Sequence, residues 1–165
     1  MPSMYAKLLT SLEYERDGYQ GMLALCSNIQ EAVLQNDIAT LETLIVAQQE
    51  LWVQIGEVDN QVAEQMRALG RLHSVPDEEI KLSVLIAKAE QELQEALWQV
   101  RSDLEALFEK QAWMNQTNQQ LIAVQLAYTN HMLHELTVQD SLNNTYTQHG
   151  VETDDETRPI FQIKI

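Results

Sequence analysis

Apolar residues recur at alternating steps of three and four from the start of the chain, which is the spacing of one helical face. The first series contains Tyr5, Leu8, Leu12, Tyr19, Met22, Cys26, Ile29 and Val33, and only Glu15 interrupts it. Gly18 and Gly21 lie inside this series. They indicate a close helix contact or a slight bend, or they are simply tolerated there. The pattern predicts one long first helix.

A turn and a second long helix follow. Asn36 and Asp37 break the series, and Asp37 can accept hydrogen bonds from the free N–H groups of a new first turn. The second series contains Ile38, Leu41, Ile45, Trp52, Ile55, Val62, Met66 and Leu69, with Gln48 and Asp59 as polar interruptions and Gly70 at its end. We expect these two helices to pack antiparallel.

A third apolar series begins after Ser74 and Pro76 and runs to Met132. It contains Leu82, Ile86, Ala89, Leu93, Leu97, Val100, Leu104, Leu107, Met114, Leu121, Tyr128 and Met132. An unbroken helix of this length would measure roughly 90 Å. Two arrangements fit the pattern: a short extra helix over about 76–86 that bends before the long one, or a continuous helix whose far end overhangs the bundle.

Polar residues lie on the face of this third series at a spacing of seven, namely Gln111, Asn118 and Gln125. In a packed core such side chains cost stability unless they are hydrogen-bonded, and they can then fix the register between helices.

The periodicity stops near Gln139, and polar residues lead into an acidic stretch over 152–156. The last six residues alternate apolar and polar side chains, which is the pattern of a single strand. We therefore predict an all-α fold, an elongated antiparallel bundle of three long helices over residues 1–140, followed by a mobile C-terminal tail over 141–165.

The net charge of the chain argues against two classes of binding partner. The 165 residues contain 10 Lys and Arg against 25 Asp and Glu, a net charge of −15, which repels nucleic acid and anionic membrane surfaces. The first thirty residues include several charges and no continuous apolar run, so neither a secretion signal nor a membrane-inserted helix is expected. A single cysteine, Cys26, on an apolar face is typical of an inert buried thiol in a reducing compartment.

Catalytic chemistry has little support in the sequence. His131 and His134 lie three apart with Glu135 beside them, but this order matches no zinc-protease helix motif and supplies only two histidine ligands. The five glycines never cluster into a phosphate-binding loop. We expect no metal, no cofactor and no enzymatic activity, and the long amphipathic helices favour a protein-binding role.

Four segments together carry a family resemblance. They are Leu8-Leu9-x-x-Leu12-x-x-Glu15 with Tyr19 and Leu23, Leu34-Gln35-Asn36-Asp37-Ile38-x-x-Leu41 with Leu44 and Glu50, Asn115-x-x-Asn118-x-x-Leu121 with Tyr128, Leu133 and Leu136, and Tyr146 with Gly150. The chain thereby resembles the bacterial flagellar export chaperones of the FlgN type, which serve the hook–filament junction proteins. It departs from the family pattern in the spread Tyr146-x-x-x-Gly150 spacing and in the C-terminal segment Ile160 to Ile165.

The resemblance implies a cytoplasmic chaperone that captures the amphipathic terminal region of a junction protein, prevents its premature assembly and delivers it to the type III flagellar export apparatus. We expect the cargo-binding groove on the long helix, with the tail closing over it. Its residues would be Asn118, Leu121, Tyr128, Met132 and Leu136 from the helix, and Tyr146, Ile160, Phe161 and Ile163 from the tail. The alternative is that the helix residues face the other two helices.

A rival interpretation from a different class of function also fits the sequence. A structural or scaffolding coiled-coil protein would use the same apolar faces to associate with a second copy of itself. The sequence leaves a homodimer open in either case.

Overall fold

The computed structural model describes residues 3–144, and every regular element in that part of the chain is helical. The long helices are α1 (Met4–Gln35), α2 (Ile38–Leu72) and α4 (Gln91–Asn144), and a short helix α3 (Leu82–Ile86) precedes α4. A single 3₁₀ turn covers Asp77–Glu79. The all-helical prediction is therefore confirmed for these residues. The predicted strand at 160–165, and the predicted tail beyond residue 144, lie outside them.

The connection between α1 and α2 is the tight turn that the sequence predicts. Asn36 adopts the left-handed conformation with φ 54°, and its N–H group donates to the carbonyls of Ala32 and Val33. The Asp37 side chain then accepts a hydrogen bond from the backbone N–H of Thr40 at 3.1 Å, which caps α2. Two residues thus end one helix and start the next.

The region between α2 and α4 takes the first of the two predicted arrangements. Helix α2 continues past Gly70 to Leu72, and Ser74 has a φ of 54°. The chain then forms α3, turns again, and enters α4 at Gln91. Leu85 and Ile86 on α3 are both 0 % exposed, so the break in the helix places two adjacent apolar side chains in the core.

Contacts along α1 and α2 show that these helices run in opposite directions. Gln65 Nε2 donates to Ser11 Oγ at 3.0 Å, whereas Gln48 Nε2 lies 3.5 Å from Cys26 Sγ. A higher residue number on α1 therefore meets a lower one on α2.

Helix α4 runs in the same direction as α1. Asn118 Nδ2 donates to the carbonyl of Cys26 at 2.9 Å, and Gln125 Nε2 donates to the carbonyl of Val33 at 3.3 Å. Both bonds join residues 92 positions apart, so they fix a single parallel register between the two helices. The amide nitrogens of Asn118 and Gln125 are thus hydrogen-bonded, whereas the buried oxygen Asn118 Oδ1 has no partner among the described residues.

The hydrophobic core joins residues of all four helices. Its largest cluster contains Tyr5, Leu8, Leu12, Val62, Leu69, Leu85, Ile86, Ala89, Leu97, Val100 and Leu104. A smaller cluster of Met22, Cys26 and Ile55 lies further along α1 and α2. The chain divides into two compact units, Met1–Gln125 and Leu126–Ile165, and both clusters belong to the first.

Candidate partner-binding surfaces

A layer of side-chain amides surrounds Cys26 in the first unit. Gln111 Nε2 lies 3.3 Å from the Cys26 sulfur, and Gln48 Nε2 approaches the same sulfur from α2. Gln111 also donates to Asn115 Oδ1 at 3.0 Å. Cys26 is 0 % exposed. The layer thus ties the three long helices together around a thiol that solvent does not reach.

A buried carboxyl group, Glu15 of α1, is paired with the half-buried Asp59 of α2. Glu15 is 9 % exposed and is hydrogen-bonded to Asp59. Burial, followed by the negative charge of Asp59, raises the pKa of Glu15 to about 7. Burial and the same two carboxyl groups raise the pKa of the neighbouring Tyr19. Glu15 can therefore hold a proton near neutral pH and donate it in a hydrogen bond to Asp59.

An open groove separates α2 from α4 near the α1–α2 turn, and we call it the α2–α4 groove. It has a volume of about 300 Å³. Its lining is Ile29, Leu41, Ile45, Gln48, Asn115, Asn118, Gln119 and Ile122. Ile45 on one wall is 40 % exposed and Ile122 on the other is 45 % exposed. The groove is therefore apolar at its rims and amide-rich beneath them.

A second cavity between α2 and α4, of about 260 Å³, lies toward the other end of α1. Val62 and Met66 of α2 and Leu104 of α4 line it, and Leu82 of the α3 segment lies among them. Helix α3 therefore borders a cavity between the same pair of helices, at the end of the bundle remote from the α1–α2 turn.

The second unit presents an apolar helical face of its own. Tyr128, Met132 and Leu136 follow one another at steps of four on α4, and they are 60 %, 46 % and 55 % exposed. Leu126 and Leu133 are also exposed, at 59 % and 56 %. Every side chain that the structure describes from 126 to 141 is exposed, so nothing among the described residues covers this face.

The predicted cargo-binding residues occupy three different environments. Asn118 is buried at 8 % exposure, and Leu121 is half-buried, both in the first unit. The exposed residues Tyr128, Met132 and Leu136 belong to the second unit. The predicted tail residues Tyr146, Ile160, Phe161 and Ile163 lie outside the described part of the chain.

The two histidines that the sequence analysis considers as metal ligands have no third ligand near them among the residues described. His131 and His134 are exposed on α4, and no group of three His, Cys, Asp or Glu side chains that could hold a metal occurs between residues 3 and 144. None of the helices in that range is long and apolar enough to cross a membrane.

Two features of the first unit were not predicted. The pairing of Glu15 with Asp59 joins two polar interruptions of separate apolar series, and the pairing of Gln48 with Cys26 joins an interruption of the second series to a member of the first. The α2–α4 groove was also missed. The sequence does show that the apolar series on α2 begins at Ile38. The structure adds that the first buried residue of this helix is Ile55, so the early part of the series is available to line a groove.

Comparison with known proteins gives one result. The family model described as FlgN protein matches residues 1–154 of the chain. No curated protein and no solved structure matches it.

Proposed function

The chain belongs to the FlgN family, and from this premise we propose that it is a cytoplasmic chaperone that binds hook–filament junction proteins for type III export. Members of this family are chaperones of flagellar export rather than enzymes. The chaperone would hold the amphipathic terminal region of a junction protein, prevent its premature assembly and present it to the export apparatus. The chain's net charge of −15 is compatible with docking on a basic component of that apparatus.

The observation that best supports this proposal is the uncovered apolar face of the second unit. Tyr128, Met132 and Leu136 form a stripe with the spacing of one helical face, and each is at least 46 % exposed. Burying one large apolar side chain contributes about 1.5–3 kcal/mol. An amphipathic cargo helix that packs on this stripe would offset part of its own cost of folding in this way.

The tail residues named in the sequence analysis remain part of the proposal. Tyr146, Ile160, Phe161 and Ile163 would add apolar contacts to a cargo helix bound on the second unit. A truncation after Leu142 removes all four, and its effect on affinity measures their contribution.

The test is coexpression with the hook–filament junction proteins of the same genome, followed by size-exclusion chromatography with mass determination. Met132→Asp places a charge in the apolar stripe, and we expect at least about tenfold weaker binding. Asn130→Asp is the matched control, because it introduces the same charge at a polar position of the same helix. Equal affinity of the two variants would remove the stripe from the binding site.

The scaffold interpretation predicts a different result in the same experiment. A scaffolding coiled coil would self-associate and give no defined complex with any junction protein. The mass of the free protein, measured alongside, reports whether a homodimer forms.

A further inference from the structure

The apolar series of α2 extends beyond the part of the helix that is buried. Ile55, Val62 and Leu69 are buried at 8 % exposure or less, but the preceding members of the series are not. Ile38, Ile45 and Trp52 follow one another at steps of seven and are 57 %, 40 % and 41 % exposed. The first half of α2 thus has an apolar flank that the other described residues cover only in part.

Helix α4 also has exposed apolar side chains between the two walls, since Ile122 lines the α2–α4 groove and Phe108 lines the second cavity. Phe108 and Ile122 are 43 % and 45 % exposed and lie fourteen positions apart. Ile38 and Trp52 are also fourteen positions apart, which is about 21 Å of helix. Tyr19 of α1 lies between the two walls, because its ring contacts Trp52 at 6.1 Å and Phe108 at 4.8 Å between centroids.

Helix α3 indicates what kind of element fits between α2 and α4. Leu82, at the start of α3, lines one cavity together with Val62 and Met66 of α2 and Leu104 of α4. Leu85 and Ile86 on the same helix are fully buried. Helix α3 is only five residues long, so it covers one end of the space between the two long helices and leaves the α2–α4 groove open.

The chemistry of the lining restricts the occupant further. None of the eight residues that line the α2–α4 groove is charged, in a chain of which 21 % is Asp, Glu, Lys or Arg. Four of them carry side-chain amides, namely Gln48, Asn115, Asn118 and Gln119. A charged side chain would lose its hydration there without gaining a partner of opposite charge. An apolar stripe that carries one uncharged hydrogen-bonding residue opposite the amides would avoid this loss.

We propose that the α2–α4 groove binds an amphipathic helix of the exported cargo in the space that α3 leaves open. The stripe of this helix contacts Leu41, Ile45 and Ile122, and an uncharged polar side chain on it meets the amides beneath. This proposal rests on the proposed chaperone function, and it adds a cargo contact in the first unit.

The first test compares two glutamate substitutions on the same helix. Ile45→Glu places a charge in the groove, whereas Val53→Glu places it at a 64 % exposed apolar position that is not part of the groove lining. We expect Ile45→Glu to weaken binding of the junction protein at least about tenfold and Val53→Glu to leave it within about twofold. Circular dichroism and thermal unfolding establish that both variants remain folded.

A second measurement does not depend on a disruptive substitution. The native thiol of Cys26 is 0 % exposed, so a spin label attached to an engineered Ile122→Cys reports on the groove alone. We expect the label to lose mobility when the junction protein binds. A label at Val53→Cys is expected to keep its mobility.

The outcomes separate the two proposals. If the wild-type chain binds a junction protein, but Ile45→Glu binds equally well and the label at position 122 stays mobile, the groove proposal is wrong and the chaperone function stands. If the wild-type chain binds no junction protein, the chaperone function is wrong, and the groove loses its proposed occupant with it.

Discussion

At the scale of single residues, the buried carboxyl group of Glu15 couples folding to protonation. Its pKa in the folded chain is about 7, against an ordinary value of 4.5. The folded state therefore holds this proton more tightly than the unfolded state does. The stabilisation is complete below about pH 4.5 and is lost as the pH rises through about 7.

Replacing Glu15 with Gln should remove this dependence. An amide stays neutral and can donate to Asp59 at every pH, so we expect Glu15→Gln to raise the free energy of unfolding by about 1–3 kcal/mol at pH 8 and to change it little at pH 5. Urea unfolding at the two pH values measures this. Glu57→Gln, at an exposed position of α2, removes a charge without the burial and should show no such difference. An equal response of both variants would contradict the assignment.

The sequence marked Glu15, Gln48 and Asp59 as interruptions but could not pair them. Which polar residue of α1 meets which of α2 depends on the register of the two helices, and the α1–α2 turn together with the packed side chains sets that register. The hydrogen bond from Gln111 toward Cys26 has the same origin. A polar residue on an apolar face therefore predicts that a partner exists without identifying it.

At the scale of helices, the end of α2 depends on the absence of a side chain at Gly70. A Cβ atom there would lie 2.5 Å from Ile80 Cδ1 and 2.9 Å from Ile80 Cγ1. Because Ile80 packs against the main core cluster, moving it away from this Cβ would give up part of that packing. We expect Gly70→Ala to lower the free energy of unfolding by about 1–3 kcal/mol, even though Ala favours a helix.

Gly56 supplies the matched control for this prediction, since it lies in the same helix and a Cβ there meets no atom within 4 Å. Gly56→Ala should stabilise the protein by about 0.5–1 kcal/mol through helix propensity alone. Chemical denaturation of the two variants compares them directly. Stabilisation by both substitutions would show that Ile80 adapts at little cost.

The helix boundaries show which parts of the fold are determined by residues that are neighbours in the sequence. Asn36 and Asp37 form a turn through their own backbone and side chains, so the sequence predicted it. The break after Ile86 has no Gly or Pro to mark it and left two arrangements open. It follows from the burial of Leu85, Ile86 and Ala89 in the same cluster as Tyr5, which is a property of the packed chain.

At the scale of the whole molecule, the apolar series predicted which faces are built for burial but not which of them the chain covers by itself. The exposed stripe of Tyr128, Met132 and Leu136 and the rims of the α2–α4 groove both continue series that are buried elsewhere. Whether a face is covered depends on how many helices are present. A binding surface and a core surface therefore have the same pattern in this sequence.

Hydrogen exchange should distinguish these regions along α4. Backbone amides over 97–118 lie on a helical segment packed in the core, whereas all described side chains over 126–141 are exposed. We expect the second segment to exchange at least about tenfold faster in the free protein, because local opening there exposes little additional apolar surface. Protection should rise over 126–141 when a junction protein binds. Equal exchange of both segments in the free protein would show that an unseen contact covers this face.

The two hydrogen bonds that set the register between α4 and α1 restrict the amino acids allowed on the two helices to different degrees. Asn118 and Gln125 contribute their side chains, but Cys26 and Val33 contribute only backbone carbonyls. Every amino acid supplies such a carbonyl, so these two bonds do not restrict the identity of residues 26 and 33, although Gln111 and Gln48 also contact the Cys26 sulfur. Positions 118 and 125 accept only residues that donate at the same reach. The side chains that determine this register through hydrogen bonds therefore lie on α4, at positions 118 and 125.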